Sequence, residues 1–361
     1  MNDRPKGVVS PTIRIGERRI GSGCPVYVVA ELSANHRQDY DLAVDTIIAA
    51  KASGADAIKL QTYTADTMTI DCDNEYFQVK GTPWEGETLH SLYLKAYTPW
   101  EWHAGLQSIA KDNGLDFLST PFDGTAVDLL ESLNVPVYKV ASFETGDIPL
   151  LRQVARTGKP VILSTGMASL GEIEEAVSAL RDSGCQEIVL LKCTSAYPAS
   201  PENANLRTIP HLSQAFNVPV GLSDHTLGLA GAVAAVALGA CVIEKHFTLS
   251  RQSPSPDSAF SMEPEEFDTM VKAIRETEAS LGQVSYSLSD DERKMRTYRR
   301  SLFVVQDVKA GEVFTEANVR CIRPAHGLHP RHLDGVMGMK ASCDVDRGTP
   351  LRWDLVGDGR S

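Results

Sequence analysis

Two stretches of the chain end in groups suited to chemistry. Val218-Pro-Val-Gly-Leu222 runs into Ser223-Asp224-His225-Thr226, and Cys241-Val-Ile243 runs into Glu244-Lys245-His246. A purely structural strand has no reason to finish in acid, base and imidazole, whereas a barrel strand entering an active site does. His225 and His246, at matching ends of consecutive strands, could each offer one ring nitrogen to a single metal ion. Two protein ligands leave positions open for water or substrate. The plain alternative is a pair of hydrogen-bonded barrel histidines.

Lysines and hydroxyls point to a second kind of ligand. Lys59 and Lys139 end two earlier apolar runs, and Ser119, Ser142, Ser164, Thr165 and Ser223 lie at the ends of others. Lysine supplies a point charge for phosphate, while hydroxyls and backbone N–H groups fill its remaining lone pairs. Solvated surface lysines are the alternative here. Glu31 and Glu144 are the carboxylates best placed for proton transfer or for holding a polyol. Glu244 and Asp224 read as groups that orient the histidines. Residue chemistry alone reaches a metal-dependent enzyme acting on a phosphorylated or carboxylated small molecule.

The elements that position these groups repeat. Apolar β-rich runs at Val26–Ala30, Ala57–Thr62, Asp116–Phe122, Val137–Glu144, Pro160–Gly166 and Ile188–Pro198 precede the two opening stretches, and helical segments alternate with them. Eight such units between about residues 25 and 282 match a (β/α)8 TIM barrel, an α/β fold of about 250 residues. A doubly wound open sheet is the rival, but the Gly-rich dinucleotide fingerprint is absent. The alternating Thr12–Gly21 stretch predicts a hairpin ahead of the barrel, within an N-terminal segment over 1–24. The barrel is expected over 25–283, a polar linker over 284–298 and a small β-rich domain over 299–361, too small to hold much core alone. Between Thr62 and Tyr97 lies an irregular, aromatic-rich insert. Thr98-Pro-Trp-Glu101 and Ser169-Leu-Gly-Glu172 predict capping boxes.

Composition bounds the class. The chain has 361 residues and a net charge of −12, which disfavours nucleic-acid or membrane-surface binding. Seven cysteines form no C-x-x-C pair, as suits reduced thiols in a cytoplasmic protein. No secretory h-region opens the chain, and its longest apolar stretch falls short of the ~20 residues of a membrane span.

Ala30-Glu-Leu-Ser-Ala-Asn-His36, Lys59-Leu-Gln61, Ser119-Thr-Pro-Phe122, Lys139-Val-Ala-Ser142, Ser164-Thr-Gly166, Ser223-Asp-His-Thr226 and Glu244-Lys-His-Phe-Thr248 together resemble the sialic acid synthase family. The tail, Arg300-Ser-Leu302 with Lys309-Ala-Gly-Glu-Val-Phe314 and Ile322-Arg-Pro324, is similar to that family's antifreeze-like (SAF) domain. The resemblance implies a transferase that condenses phosphoenolpyruvate with an N-acylated sugar aldehyde to give a nine-carbon 2-keto acid and phosphate. It implies a divalent metal on His225 and His246, commonly manganese, with magnesium or cobalt as alternatives. It carries phosphoenolpyruvate to Lys59, Ser119, Lys139, Ser142, Ser164 and Ser223. Glu31 and Asp257 correspond to residues near the reacting carbonyl and the sugar hydroxyls, and Gln61, Glu144, Ser195 and Tyr197 to the sugar side. Arg323 matches an arginine that a partner's tail domain brings to the N-acyl group, which implies a domain-swapped homodimer.

Within the family, the Gln61–Asp71 stretch, Tyr76-Phe-Gln78, Ala96–Trp102 and Thr194–Pro198 look most like pseudaminic acid synthases, whose acceptor is 2,4-diacetamido-2,4,6-trideoxy-L-altrose. Synthases of N-acetylneuraminate or legionaminate are the alternatives within the family. A 3-deoxy sugar acid synthase and a non-catalytic sugar-binding protein are more distant ones. One departure is Ser253-Pro-Ser-Pro256 before Asp257, where glycines are usual and where two prolines stiffen the loop.

Overall fold

The computed structural model describes residues 11–82 and 84–357. The first ten residues of the expected N-terminal segment and the last four of the tail lie outside the described residues. The chain divides into two compact units after Gly282.

The first unit opens with an antiparallel hairpin of β1 (Thr12–Ile15) and β2 (Arg18–Gly21), as expected. Gly16, at φ 56°, supplies its left-handed turn residue. Strands and helices then alternate as β3 (Tyr27–Glu31), α1 (Tyr40–Ala52), β4 (Ala57–Thr62), α2 (Ala65–Met68), α3 (Leu89–Ala96), α4 (His103–Asp112) and β5 (Asp116–Pro121). They continue as α5 (Gly124–Ser132), β6 (Tyr138–Val140), α6 (Ile148–Arg156), β7 (Val161–Ser164), α7 (Leu170–Asp182) and β8 (Ile188–Cys193). The series ends with α8 (Thr208–Phe216), β9 (Val220–Asp224), α9 (Ala230–Ala237), β10 (Val242–His246) and α10 (Pro264–Leu281). Strands β3 to β10 are parallel, and β10 pairs back onto β3, closing the barrel.

Strand alternation splits the core in two. Val28, Ala30, Ile58, Leu60, Val140, Leu163 and Ile243 face the helices. Tyr27, Val29, Ala57, Leu118, Ile162, Val189 and Val242 fill the barrel, joined by Ile13, Ile15 and Ile20 of the hairpin. The hairpin therefore plugs the N-terminal mouth. Arg18 anchors it to Asp56 at 2.7 Å and to Asp116 at 3.3 Å. With one mouth sealed by apolar packing, strand-end chemistry is confined to the other.

Several local expectations change. The insert after β4 is partly helical, holding α2 and α3. The predicted box at Thr98 does not form, because Thr98 is buried with its hydroxyl 3.3 Å from His36 Nε2, and the following turn is a 3-10 helix. Ser169 and Glu172 do form theirs at the start of α7. The fourth barrel strand is short, because the chain turns at Ser142–Glu144 into a 3-10 helix. The polar stretch 284–298 carries a short capped helix, α11 (Asp290–Met295).

The second unit pairs β11 (Ser301–Val304) with β12 (Val319–Ile322) antiparallel. Its buried Leu302, Val304, Val308, Phe314, Val319, Val336, Val345 and Leu351 give this small unit an apolar cluster of its own. All seven cysteines are free. Among the described residues no helix is long and apolar enough to cross a membrane.

One ion pair stands out on the outward side of β9 and β10. Lys245, wholly buried, lies 2.7 Å from Asp224 Oδ2 and donates to the carbonyls of Thr226 and Gly228. Removing one partner strands a buried charge, so Lys245→Met is expected to destabilise the protein by about 3–5 kcal/mol. Denaturant unfolding checks this. A loss below about 1 kcal/mol, the range of exposed pairs, would show that the pair is dispensable.

Candidate active site

Period-two alternation turns Glu31 of β3, Lys59 and Gln61 of β4, Lys139 of β6, and Glu244 and His246 of β10 into the open mouth. There they form a buried charge cluster. Lys59 Nζ lies 2.8 Å from Glu31 Oε2 and 3.5 Å from Glu244 Oε1, and Lys139 Nζ is 3.7 Å from the same Glu244 oxygen. Ser223 Oγ donates to Glu244 Oε1 at 3.4 Å. Burial alone would raise the Glu244 carboxyl, but Lys139 and Lys59 hold it below its usual range. Burial pushes Glu31 up despite Lys59. Two lysines thus face one firmly ionised carboxylate and one that burial makes easier to protonate, while burial also lowers Lys139; an anion bound here would favour the charged form of both lysines.

This geometry corrects two expectations. Glu244 does not orient the histidines; it bridges the lysines. Asp224 faces outward to Lys245 and to the N–H and hydroxyl of Thr226. Both follow from alternation: Asp224 is one residue before the inward His225 and points away, whereas Glu244 is two before His246 and shares its face.

The histidine rings lie 5.3 Å apart. His225 Nδ1 is 3.0 Å from Thr194 O, which makes it the donor there and leaves Nε2 unprotonated and free when the ring is neutral. Cys193 Sγ lies 3.8 Å from the same Nδ1. His246 Nδ1 is buried with no hydrogen-bond partner, and burial holds this imidazole well below its usual pKa. A neutral imidazole with an unsatisfied buried nitrogen suits a metal ion. Among the described residues no cluster of three or more His, Cys, Asp or Glu joins around this pair.

The hydroxyls sort themselves by face. Ser164 Oγ is buried without a partner. Ser142 Oγ accepts from Gly166 N at 3.0 Å, and a Cβ at Gly166 would collide with the hydroxyls of Ser142 and Ser195. Ser195, expected on the sugar side, lies between this hydroxyl cradle and Tyr197 of the cavity. Ser119 is also displaced. Its hydroxyl is 2.6 Å from Thr62 Oγ1, which reaches His103 Nε2 of α4 at 2.8 Å, so it faces the helix layer. Thr120 takes the inward position, 3.2 Å from Lys59 Nζ. Register explains this: Gln61 pairs with Thr120, and Leu118, two residues before Thr120, fills the barrel. In an apolar run buried on both faces, no polar alternation reveals which hydroxyl points inward.

Beside the cluster opens a cavity of about 390 Å³, lined by Gln61, Glu144, Tyr197, His246 and Asp257. Gln61 Nε2 donates to Glu31 Oε1 at 3.0 Å and to Ser33 Oγ at 2.8 Å. Ser33 adopts φ 49°, a left-handed conformation rare outside glycine, and its hydroxyl donates to Asp257. Asp257 is thus seated despite the proline-stiffened loop. Glu144 Oε2 is buried and unpartnered, and burial raises its pKa to about 7 against the pull of Lys139. The insert supplies an apolar wall from Tyr63, Met68, Val79, Trp84, Leu92 and Tyr93. Arg323 is exposed just beyond β12 in the second unit. Thr120 is legible as a strand-end hydroxyl but not as the inward one, whereas Ser33 and Trp84 escape a reading of strand ends, although Trp84 falls within the aromatic insert.

Comparison with known proteins finds relatives for both parts of the chain. The NeuB family model matches residues 46–286, and the SAF domain model matches 299–357. A pseudaminic acid synthase of Helicobacter pylori is 46% identical, over 92% of this chain and 98% of its own. A pseudaminic acid synthase of Campylobacter jejuni is 43% identical, over 91% and 95%. The crystal structure of a spore coat polysaccharide biosynthesis protein from Bacillus subtilis superposes with a TM-score of 0.66 at 34% identity, over 96% of this chain and 99% of its own.

Glu144 makes a pH prediction. Its folded pKa of about 7 exceeds the ordinary 4.5, so the stability from its bound proton is full below 4.5 and is lost as pH rises through 7. Glu144→Gln, which cannot ionise, is expected to match the wild-type melting temperature near pH 4.5 and exceed it near pH 8. A difference that stays constant with pH would contradict the assignment.

Proposed function

The chain belongs to the NeuB family, and from that premise we propose that it condenses phosphoenolpyruvate with 2,4-diacetamido-2,4,6-trideoxy-L-altrose to give pseudaminic acid and phosphate. The observation that carries this reading is 43–46% identity to pseudaminic acid synthases over more than nine-tenths of the chain, combined with a barrel mouth that joins an anion-suited cluster to a sugar-sized cavity. The enzyme class, a phosphoenolpyruvate-condensing transferase, follows from the family.

In this reading Lys59, Lys139, Thr120, Ser142, Ser164 and Ser223 bind phosphoenolpyruvate, with Ser195 completing the cradle for its phosphate. Preorganised donors of this kind lower the cost of charge that develops in the transition state. Gln61, Glu144, Tyr197 and Asp257 hold the acceptor sugar. C3 of phosphoenolpyruvate attacks the aldehyde carbon, whose oxygen takes a proton to become a hydroxyl. Water adds at C2, the C–O bond to phosphate breaks, and a 2-keto acid remains. Glu31, buried beside Lys59 and hydrogen-bonded to Gln61, is assigned to give its proton to the aldehyde oxygen and, as the carboxylate so formed, to take one from that water.

His225 and His246 would hold a divalent metal, with manganese favoured over magnesium and cobalt. The free Nε2 of His225 and the unpartnered Nδ1 of His246 support this assignment. When bound, such an ion acts as a Lewis acid on a carbonyl oxygen. Arg323 is assigned to the sugar's N-acyl group of the neighbouring subunit in a homodimer. A cytoplasmic location accompanies the use of phosphoenolpyruvate.

Phosphate release from phosphoenolpyruvate is the direct assay, with and without manganese, using the trideoxy-altrose, its legionaminate-pathway counterpart or N-acetylmannosamine. Release only with the first acceptor and only with metal is expected, as is its loss in His225→Ala and His246→Ala. Release only with N-acetylmannosamine would reject the named acceptor. Thr120→Val is expected to raise KM for phosphoenolpyruvate about tenfold, the cost of one hydrogen bond to a charged group. Ser119→Ala should leave it within about twofold, since that hydroxyl faces α4. The opposite pattern would restore Ser119 to the site.

A further inference from the structure

Trp84 stands at the tip of a tight loop in the insert. The loop is closed by the antiparallel bridge between Gln78 and Thr88, with Val79 N donating to Glu87 O at 2.9 Å and Leu89 N to Phe77 O at 2.8 Å. From this tip the indole does two things. Its Nε1–H donates to Pro256 O at 2.9 Å, one residue before Asp257. Its ring lies 5.9 Å from that of Tyr197, which packs 4.5 Å from His225 and 5.1 Å from Phe260. One side chain thus ties the insert to two groups that line the cavity.

We propose that Trp84 is a positioning residue that selects the acceptor sugar, latching an apolar wall over the cavity while fixing Asp257 and Tyr197 beneath it. This rests on the functional reading above. Gln61 donates to Glu31 and to Ser33, and Ser33 donates to Asp257, which sets these polar groups beside the charge cluster where the aldehyde carbon must react. The far end of a six-carbon acceptor then meets the wall formed by Met68, Leu92 and Phe122. A methyl at C6 buries there at no cost, whereas a hydroxyl at C6 would lose its water partners and gain none. The chemistry recognised is a 6-deoxy, N-acylated aldose. An apolar wall discriminates by about 10- to 100-fold rather than absolutely, because it rejects an added hydroxyl only weakly. Pro254 and Pro256 fit the same role, since a stiff loop held at one carbonyl stays in place along its length.

Two measurements on the full-length protein test this. The first is amide hydrogen exchange of the loop 253–258 in the substrate-free protein. Trp84→Phe keeps an aromatic ring but loses the donor, and exchange there is expected to quicken about tenfold, the worth of one neutral hydrogen bond. Unchanged exchange would overturn the latch, and this readout needs no turnover. The second is kinetics with C6-methyl and C6-hydroxymethyl acceptors. Trp84→Phe is expected to raise KM for the sugar about tenfold with KM for phosphoenolpyruvate unaltered. Trp84→Ala is expected to lower the preference between the two acceptors about tenfold. Equal losses for both substrates, or an unaltered preference, would make Trp84 merely structural and reject the proposal. A wild type that prefers the C6-hydroxymethyl acceptor would instead reject the functional reading, while the exchange result still decides the latch.

Discussion

The pairing of β10 with β3 is the constraint on which the site depends. That ladder sets His246 level with Glu31, and the next sets Glu31 level with Lys59. Residues from the two ends of a long segment become lateral neighbours at hydrogen-bonding distance. Because the strands are parallel, their ends emerge at one mouth. Because side chains alternate, every second one enters it. The Ile13, Ile15 and Ile20 plug seals the opposite end with apolar packing. Glu31, Lys59, Lys139, Glu244 and His246 are therefore consequences of closure as much as of composition.

Such a cluster is costly to assemble. Buried charges lose hydration worth several kcal/mol per ion after relaxation, and mutual pairing returns only part of it. Glu244 offsets the two lysines, and Glu31, hydrogen-bonded to Gln61 and paired with Lys59, takes up protons more readily than in water. The site thus holds two buried lysines whose pairing is incomplete, and an anionic substrate completes it. Polar atoms without partners, Ser164 Oγ, Glu144 Oε2 and His246 Nδ1, mark where ligands supply what the protein does not. Natural structures tolerate few such atoms, and here three line one mouth.

The insert between β4 and α4 adds a different kind of surface. The barrel contributes charge and hydroxyls, and the insert contributes Met68, Val79, Leu92 and aromatic rings. The division suits a two-substrate reaction, in which a small anion needs strong point interactions and a deoxygenated sugar needs shape and apolar contact. Asp257, seated by Ser33 and the Ala34 N–H, and Trp84, bonded to Pro256, join the two surfaces.

Much of this was legible in the chain itself. The eight-unit barrel, the hairpin, the paired histidines and the strand-end lysines all follow from local patterns: apolar runs, polar strand ends and helix caps. The NeuB family and its SAF tail follow from ordered motifs. Facing could not be read this way. Ser119 and Thr120 are adjacent hydroxyls in a run buried on both faces, and only the register with β4 turned Thr120 inward. Asp224 and Glu244 each precede a histidine, yet one faces Lys245 and the other faces the lysines of the mouth. Ser195 joined Ser142 and Gly166 because β8 lies beside β7 in the closed barrel. Residue types and their order are properties of the sequence, so it determined the elements and the kind of chemistry. Direction and proximity between distant residues arise only when the barrel closes, so the tertiary structure decided which groups share the site.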